Sequence, residues 1–200
     1  MEKKKFEIAE STCVPLPLEN IDTDQIIPAR FLSSTSRAGF GENLFRDWRY
    51  DKTGDLNPAF VLNNPQFGGE ILVAGRNFGC GSSREHAVWA ISDYGFRAVV
   101  SSYFADIFKN NALNNGLLPV IVPDTYLGNL LDLIHKDPET RVRIDLINET
   151  ISVPSVGISV RFEVNPYKKE CLIKGLDDIE YLLSIKEHIN AYELRNALRI

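Results

Sequence analysis

None of the three cysteines, Cys13, Cys80 and Cys171, stands in a C-x-x-C spacing with another. A disulfide framework and a local zinc site are therefore not signalled. Histidine is as sparse: His86, His135 and His188 are scattered, and no metal triad can be drawn from them. Long hydrophobic runs are missing too. The most apolar stretch, Leu117-Leu118-Pro119-Val120-Ile121-Val122, falls far short of the roughly 20 residues that cross a bilayer, so no membrane span is expected. The amino-terminal Met1-Glu2-Lys3-Lys4-Lys5 lacks the apolar core of a secretory signal, which makes the cytoplasm the expected location. Positive charge is in the minority, with 22 Lys and Arg against 27 Asp and Glu. Lys3-Lys4-Lys5 is the one basic cluster and is too small for a nucleic-acid stripe.

What remains is ordinary for a globular protein: 44% hydrophobic and 24% charged residues in 200, enough for one substantial core. A single domain over 1–200 is expected, with no internal repeat or low-complexity tract. Residues 29–58 form a long connection rich in Arg, Phe, Gly and Ser, of weak periodicity. A connection of that length is usually a functional loop, a lid or a docking surface.

The stretch Gly75-Arg76-Asn77-Phe78-Gly79-Cys80-Gly81-Ser82-Ser83-Arg84-Glu85-His86-Ala87 carries the chemistry. Glu70-Ile71-Leu72-Val73-Ala74 before it reads as a buried strand, and Ala87, Ala90, Ile91 and Tyr94 after it recur at helical spacing. Ser82-Ser83-Arg84-Glu85 fits a capping box with Ser82 as N-cap. A helix start attracts anions, and Gly79 and Gly81 allow close backbone approach. Arg84 adds a bidentate grip on a carboxylate or phosphate. The same residues also serve a plain bend and cap. Other phosphate and nucleophile motifs fail: Arg84 stands where a dinucleotide loop needs its third glycine, Glu85 stands where a nucleophile elbow needs glycine, and no Walker lysine is present. Cys80, beside a helix start and Arg84, is a candidate for a lowered thiol pKa or simply a small residue in a turn. His86 reads as a hydrogen-bonded support. Arg37, near Gly39 and Gly41, is a second candidate anion grip.

Elsewhere, Asn20-Ile21-Asp22-Thr23-Asp24-Gln25-Ile26-Ile27-Pro28 reads as a turn whose Asp side chains bond nearby N–H groups; an EF-hand's glycine and terminal glutamate are missing. Strands at 98–102 and 118–122 alternate with a helix at 105–115, which argues for parallel pairing with right-handed crossovers. A helix over 126–135 follows, then a hairpin at 142–147 and 150–153 and a strand at 159–164. The fold class is α/β, with a mixed, largely parallel sheet flanked by helices. From 176 to 200 one or two helices are expected, with Ile179, Leu182, Leu183 and Ile185 facing inward.

The Gly75 to Ala87 segment resembles the glycine, serine and arginine motif of the swivelling β/β/α domain of the aconitase superfamily. Asp22 to Pro28, Arg37 to Gly41, Phe45-Arg46-Asp47-Trp48-Arg49-Tyr50, and Lys169 through Ile179 extend that likeness to the small subunits of 3-isopropylmalate dehydratases, over nearly the whole chain. The resemblance implies a hydro-lyase of leucine biosynthesis that isomerises 2-isopropylmalate to 3-isopropylmalate through 2-isopropylmaleate. It implies a large subunit as partner, holding a 4Fe-4S cluster with one open iron, and a small hydroxy diacid as substrate. By motif position it implies that Ser82 is the general base, that Ser83, Arg84 and Arg37 bind substrate carboxylates together with the Gly79 and Gly81 loop, and that residues from Arg30 to Ser36 meet the isopropyl group. Relatives acting on homoaconitate, citraconate or dimethylmalate share the motif. A non-catalytic module of the same fold and a stand-alone lyase using Cys80 are the other readings left open.

Overall fold

The computed structural model describes residues 5–32 and 39–197. Strand β1 (Ile8–Ser11) passes through Thr12 straight into β2 (Cys13–Leu16), yet the two enter different sheets. β2 pairs in parallel with β3 (Ile71–Ala74), β3 with β4 (Ala98–Ser101), and β4 with β5 (Leu118–Ile121). β1 pairs antiparallel with β6 (Val142–Asp145), which pairs with β7 (Thr150–Val153), which in turn pairs with β8 (Ile158–Arg161). The α/β class holds. The parallel and antiparallel pairing expected within one sheet is shared out between two.

Helix α1 (Thr23–Ile26) and α2 (Arg46–Arg49) lie in the long connection from β2 to β3. The crossovers of the parallel sheet are α3 (Glu85–Tyr94) and α4 (Asp106–Asn114), and α5 (Asp124–Lys136) follows β5. All four residues of β3 are buried because both faces of the sheet are covered. Side chains alternate between those faces. Leu72 and Ala74 join one core cluster with Val88 and Ile91 of α3 and Phe108 of α4. Ile71 and Val73 join a second with Leu127, Leu130 and Ile134 of α5 and Val142, Ile144, Ile151 and Val153 of the antiparallel sheet. The parallel sheet is thus the middle layer, and the antiparallel sheet backs it away from α3.

Among the described residues of the long connection, Phe40, Leu44, Phe45 and Leu62 are buried in the first cluster, so this part of it packs on its own sheet. Its aromatics explain this: Phe45 stacks on Trp48 at 5.5 Å, and both pack against Phe60.

Helix α6 (Pro166–Lys174) has no counterpart among the expected elements. Its start and stop are conventional: the Asn165 side chain accepts from the Tyr167 and Lys168 N–H groups, Pro166 takes the first position, and Gly175 ends it in the left-handed region. Helices α7 (Asp178–Ser184) and α8 (Lys186–Ala197) follow as expected, with Asp177 and Glu180 closing a capping box. Their apolar residues do not turn inward. Ile179, Leu182 and Leu183 are 70%, 52% and 64% exposed, while Ile185 is half-buried.

Candidate active site

The site grows from the carboxyl end of β3, where ligands collect in parallel sheets. Leaving Ala74, the chain is zipped along residues 16–23. The Gly75 N–H donates to Leu16 C=O, Asn20 N–H to Arg76 C=O, Gly79 N–H to Ile21 C=O at 2.8 Å, and Thr23 N–H to Cys80 C=O at 3.0 Å. A Cβ on Gly75 would sit 2.4 Å from the Leu18 carbonyl oxygen, so only glycine permits that approach. Asn77 and Asn20 both take positive φ and join side chains at 2.8 Å.

Gly79 and Gly81 have φ of +76° and +84°. Their roles differ. The space a Cβ would take at Gly79 is filled by the Phe108 ring, 2.2 Å away, so packing beneath the loop requires glycine at this buried position. Gly81 is exposed and faces the Asp22 Cβ at 3.3 Å and the Thr23 hydroxyl at 3.9 Å.

The capping box expected at Ser82 does not form. Helix α3 begins at Glu85, its N-cap is Arg84, and no side chain caps it. The cause is tertiary: Thr23 Oγ1 donates to the Ser82 carbonyl at 2.8 Å, which holds Ser82 against α1 and three residues short of the helix. Glu85, expected to reach back, instead accepts from Asn115 Nδ2 at 2.8 Å. Among the described residues neither the Ser82 nor the Ser83 hydroxyl has a hydrogen-bond partner, and both residues are exposed.

The true capping box lies opposite. Asp22 Oδ1 accepts from the Asp24 and Gln25 N–H groups, and Gln25 Oε1 accepts from the Asp22 N–H, each at 2.8 Å. Its helix turn delivers Asp24 to Arg84, an ion pair in which the guanidinium is 18% exposed and the carboxylate 58%. The Arg84 Nη1 also donates to Ile27 C=O at 3.3 Å. The hydrogen bond from Arg84, then that from the Ala29 N–H, holds the Asp24 carboxyl below the usual carboxylate range. Arg84 is thus aimed by one edge of its fork. Thr23 and Asp24 hold the loop, a role that the glycine motif alone does not assign, and the D-x-x-Q spacing from Asp22 to Gln25 is the signal that marks them.

The Cys80 thiol shifts opposite to the expectation of a lowered pKa. Burial, then the Asp22 charge, pushes it up, and it donates to the Asn20 carbonyl at 3.4 Å. Among the described residues His86 is supported by ring packing and has no hydrogen-bond partner: its ring lies 4.5 Å from that of Trp89 and 5.4 Å from that of Phe40. Arg37 lies outside the described residues. Among the described residues no group of three or more His, Cys, Asp or Glu could hold a metal ion. Cys13 and Cys171 are buried away from the loop, so the thiols present here do not fit an iron-sulfur cluster. No helix among the described residues is long and apolar enough to cross a membrane.

The chain's likenesses bear on the same residues. The aconitase C-terminal domain family matches residues 3–125, which include β3, the loop and α3. The 3-isopropylmalate dehydratase small subunit of Cytophaga hutchinsonii is 57% identical over 190 residues, 95% of this chain and 94% of that one. Its counterpart from Christiangramia forsetii is 59% identical over 95% of this chain and 93% of its own length. A crystal structure of 3-isopropylmalate dehydratase from Methanocaldococcus jannaschii superposes with a TM-score of 0.66 at 30% identity, covering 93% of this chain and 99% of that one.

Proposed function

As the chain belongs to the family of 3-isopropylmalate dehydratase small subunits, within the aconitase C-terminal domain family, we propose that it is the small subunit of a cytoplasmic hydro-lyase converting 2-isopropylmalate to 3-isopropylmalate. It works as one swivelling domain, residues 1–200, against a large subunit. The observation that carries the reading is the Ser82-Ser83-Arg84 group: two exposed hydroxyls with no partner among the described residues, beside a guanidinium aimed by Asp24, at a helix start that no side chain caps.

Each residue then has a task. The substrate is a hydroxy diacid, and Arg84, with Nη1 engaged by Asp24, offers the rest of its fork to one carboxylate. Ser83 donates its hydroxyl to that carboxylate. Arg37 takes the second carboxylate. Ser82 acts as base: its oxygen accepts the proton from the substrate carbon as the neighbouring C–OH bond breaks to give 2-isopropylmaleate, and returns it to the other carbon as water adds back. A serine needs help to hold negative charge, and the α3 start, which no side chain caps, and the arginine supply it. Gly81 keeps the approach clear of a side chain. The 4Fe-4S cluster, carried by the large subunit, supplies Lewis acidity toward the leaving hydroxyl.

The test is anaerobic mixing of the purified chain with a cluster-bearing large subunit, following the unsaturated intermediate by ultraviolet absorbance. Turnover of 2-isopropylmalate by the mixture and by neither chain alone is expected. Turnover by one chain alone, or only with homoaconitate, citraconate or dimethylmalate, contradicts the proposal.

A further inference from the structure

The residue after Arg84 is a carboxylate at the very start of α3. Left to itself, Glu85 would turn onto that start, because helix N-termini favour anions and S-x-x-E is the spacing in which a glutamate reaches back. A substrate carboxylate arriving beside Ser82, Ser83 and Arg84 is drawn by the same field. The chain thus carries a competitor for its own anion site, one residue from the arginine.

Asn115, half-buried at the end of α4, takes hold of that competitor. Its Nδ2 donates to Glu85 Oε1 at 2.8 Å and to the Asn111 carbonyl at 2.9 Å, and its Oδ1 accepts from Trp89 Nε1 at 3.2 Å. These partners fix which way the amide faces: two acceptors require the NH2 group, and the indole N–H requires the oxygen. Both ends of the bracket are firm. The Asn115 N–H donates to the Asn111 and Ala112 carbonyls at 3.1 Å, and Gly116, at φ of +82°, turns the chain toward β5. Trp89, one turn along α3 from Glu85, packs edge-on against the buried Phe40 at 5.7 Å. The two halves of the capping pattern are therefore drawn to different helices: Ser82 to α1 through Thr23, and Glu85 to α4 through Asn115.

We infer that Asn115 is a positioning residue for substrate binding: by holding the Glu85 carboxylate at the end of α4 it keeps the start of α3 open to a substrate carboxylate. This rests on the function proposed above. The bond to Glu85 is charge-assisted and is made by a neutral group, so it restrains the carboxylate without placing a further charge beside Arg84.

The test is Asn115→Asp and Asn115→Ala, each alone and combined with Glu85→Gln, in the two-subunit enzyme. Asn115→Asp keeps an acceptor for Trp89 but sets one carboxylate against another, so it should release Glu85 most fully. KM for 2-isopropylmalate should rise about three- to tenfold with kcat nearly unchanged, and by less in Asn115→Ala. Glu85→Gln removes the competing charge and should bring KM in either background back to that of Glu85→Gln alone, while any fall in melting temperature from the lost Asn115 bonds remains. On the small subunit alone, amide exchange in the first turn of α3 should slow in Asn115→Asp, because Glu85 then turns onto it. Unchanged KM in both variants overturns the inference. So does a rise that Glu85→Gln fails to reverse, which marks Asn115 as structural, and so does unchanged exchange in the first turn. A wild-type mixture that fails to turn over 2-isopropylmalate sinks the functional reading instead, and exchange on the small subunit alone still decides whether Asn115 restrains Glu85.

Discussion

Asp22-Thr23-Asp24-Gln25 and Ser82-Ser83-Arg84-Glu85 share one capping pattern and meet across a parallel bridge from Asp22 to Cys80, but only the first closes. At Asp22 each side-chain oxygen of the pattern has its backbone donor. At Ser82 the hydroxyl stays exposed, and the helix begins without a cap, which forgoes about 1 kcal/mol. The first stretch spends its polar groups on itself and on holding its neighbour, through Thr23 to Ser82 and Asp24 to Arg84. In the second, the Ser82 and Ser83 hydroxyls have no partner among the described residues, which suits the site role proposed for them.

If that division is right, substitutions on the two sides should separate stability from turnover. The largest effect is expected at Arg84. Arg84→Ala removes up to two charge-assisted bonds to a substrate carboxylate, each about 1.5–3 kcal/mol, so kcat/KM in the reconstituted enzyme should fall by about 10²–10⁴ while the melting temperature changes little.

Gly79→Ala should do the reverse. A methyl at 2.2 Å from Phe108 with φ at +76° forces the loop from its bed. Overpacking at about 1–3 kcal/mol, with a left-handed penalty of similar size, predicts a melting temperature lower by about 5–15 °C. A calorimetric scan of the isolated chain reads it. Asp22→Ala should cost about 0.5–2 kcal/mol in urea unfolding, the ordinary value of a lost N-cap.

The ion pair sharpens the comparison through pH. Because the Asp24 carboxyl is held low, its contribution is complete above the ordinary carboxylate pKa of about 3.9 and is lost as pH falls through the lower folded value. Carboxyl NMR shifts of Asp24 should therefore stay flat from neutral pH into the acid range, and Arg84→Lys, with a poorer fit, should raise the titration point. The smallest effect is expected at Cys80. With its thiol pushed above the ordinary 9.0, alkylation should be slow at neutral pH and accelerate in alkali, and Cys80→Ser should retain turnover.

The course of β3, the loop and α3 was legible because buried strands and glycine punctuation are local signals. Ser82 as a cap was not, because S-x-x-E records that a cap is affordable, while Thr23, 59 residues away, decides that the backbone is held elsewhere. The two-sheet division has a similar cause. Strand character at 8–11 and 13–16 is local, but which sheet each joins depends on partners at 142–145 and 71–74. Helix α6 buries only Cys171 and Leu172, too few apolar positions to show a period. For α7 the period of Ile179, Leu182 and Leu183 correctly marks one face, but a period does not say whether that face meets its own chain.

The central claim is that Ser82 is held in place by the scaffold and spared for the reaction. It is tested most directly by Ser82→Ala, with melting temperature and turnover measured on the same preparation in complex with the large subunit. Removing a general base predicts turnover lower by about 10²–10⁴, with substrate binding largely kept and the melting temperature unchanged. Near-normal turnover, or a melting temperature that falls as it does for a lost cap, would show that Ser82 belongs to the scaffold after all.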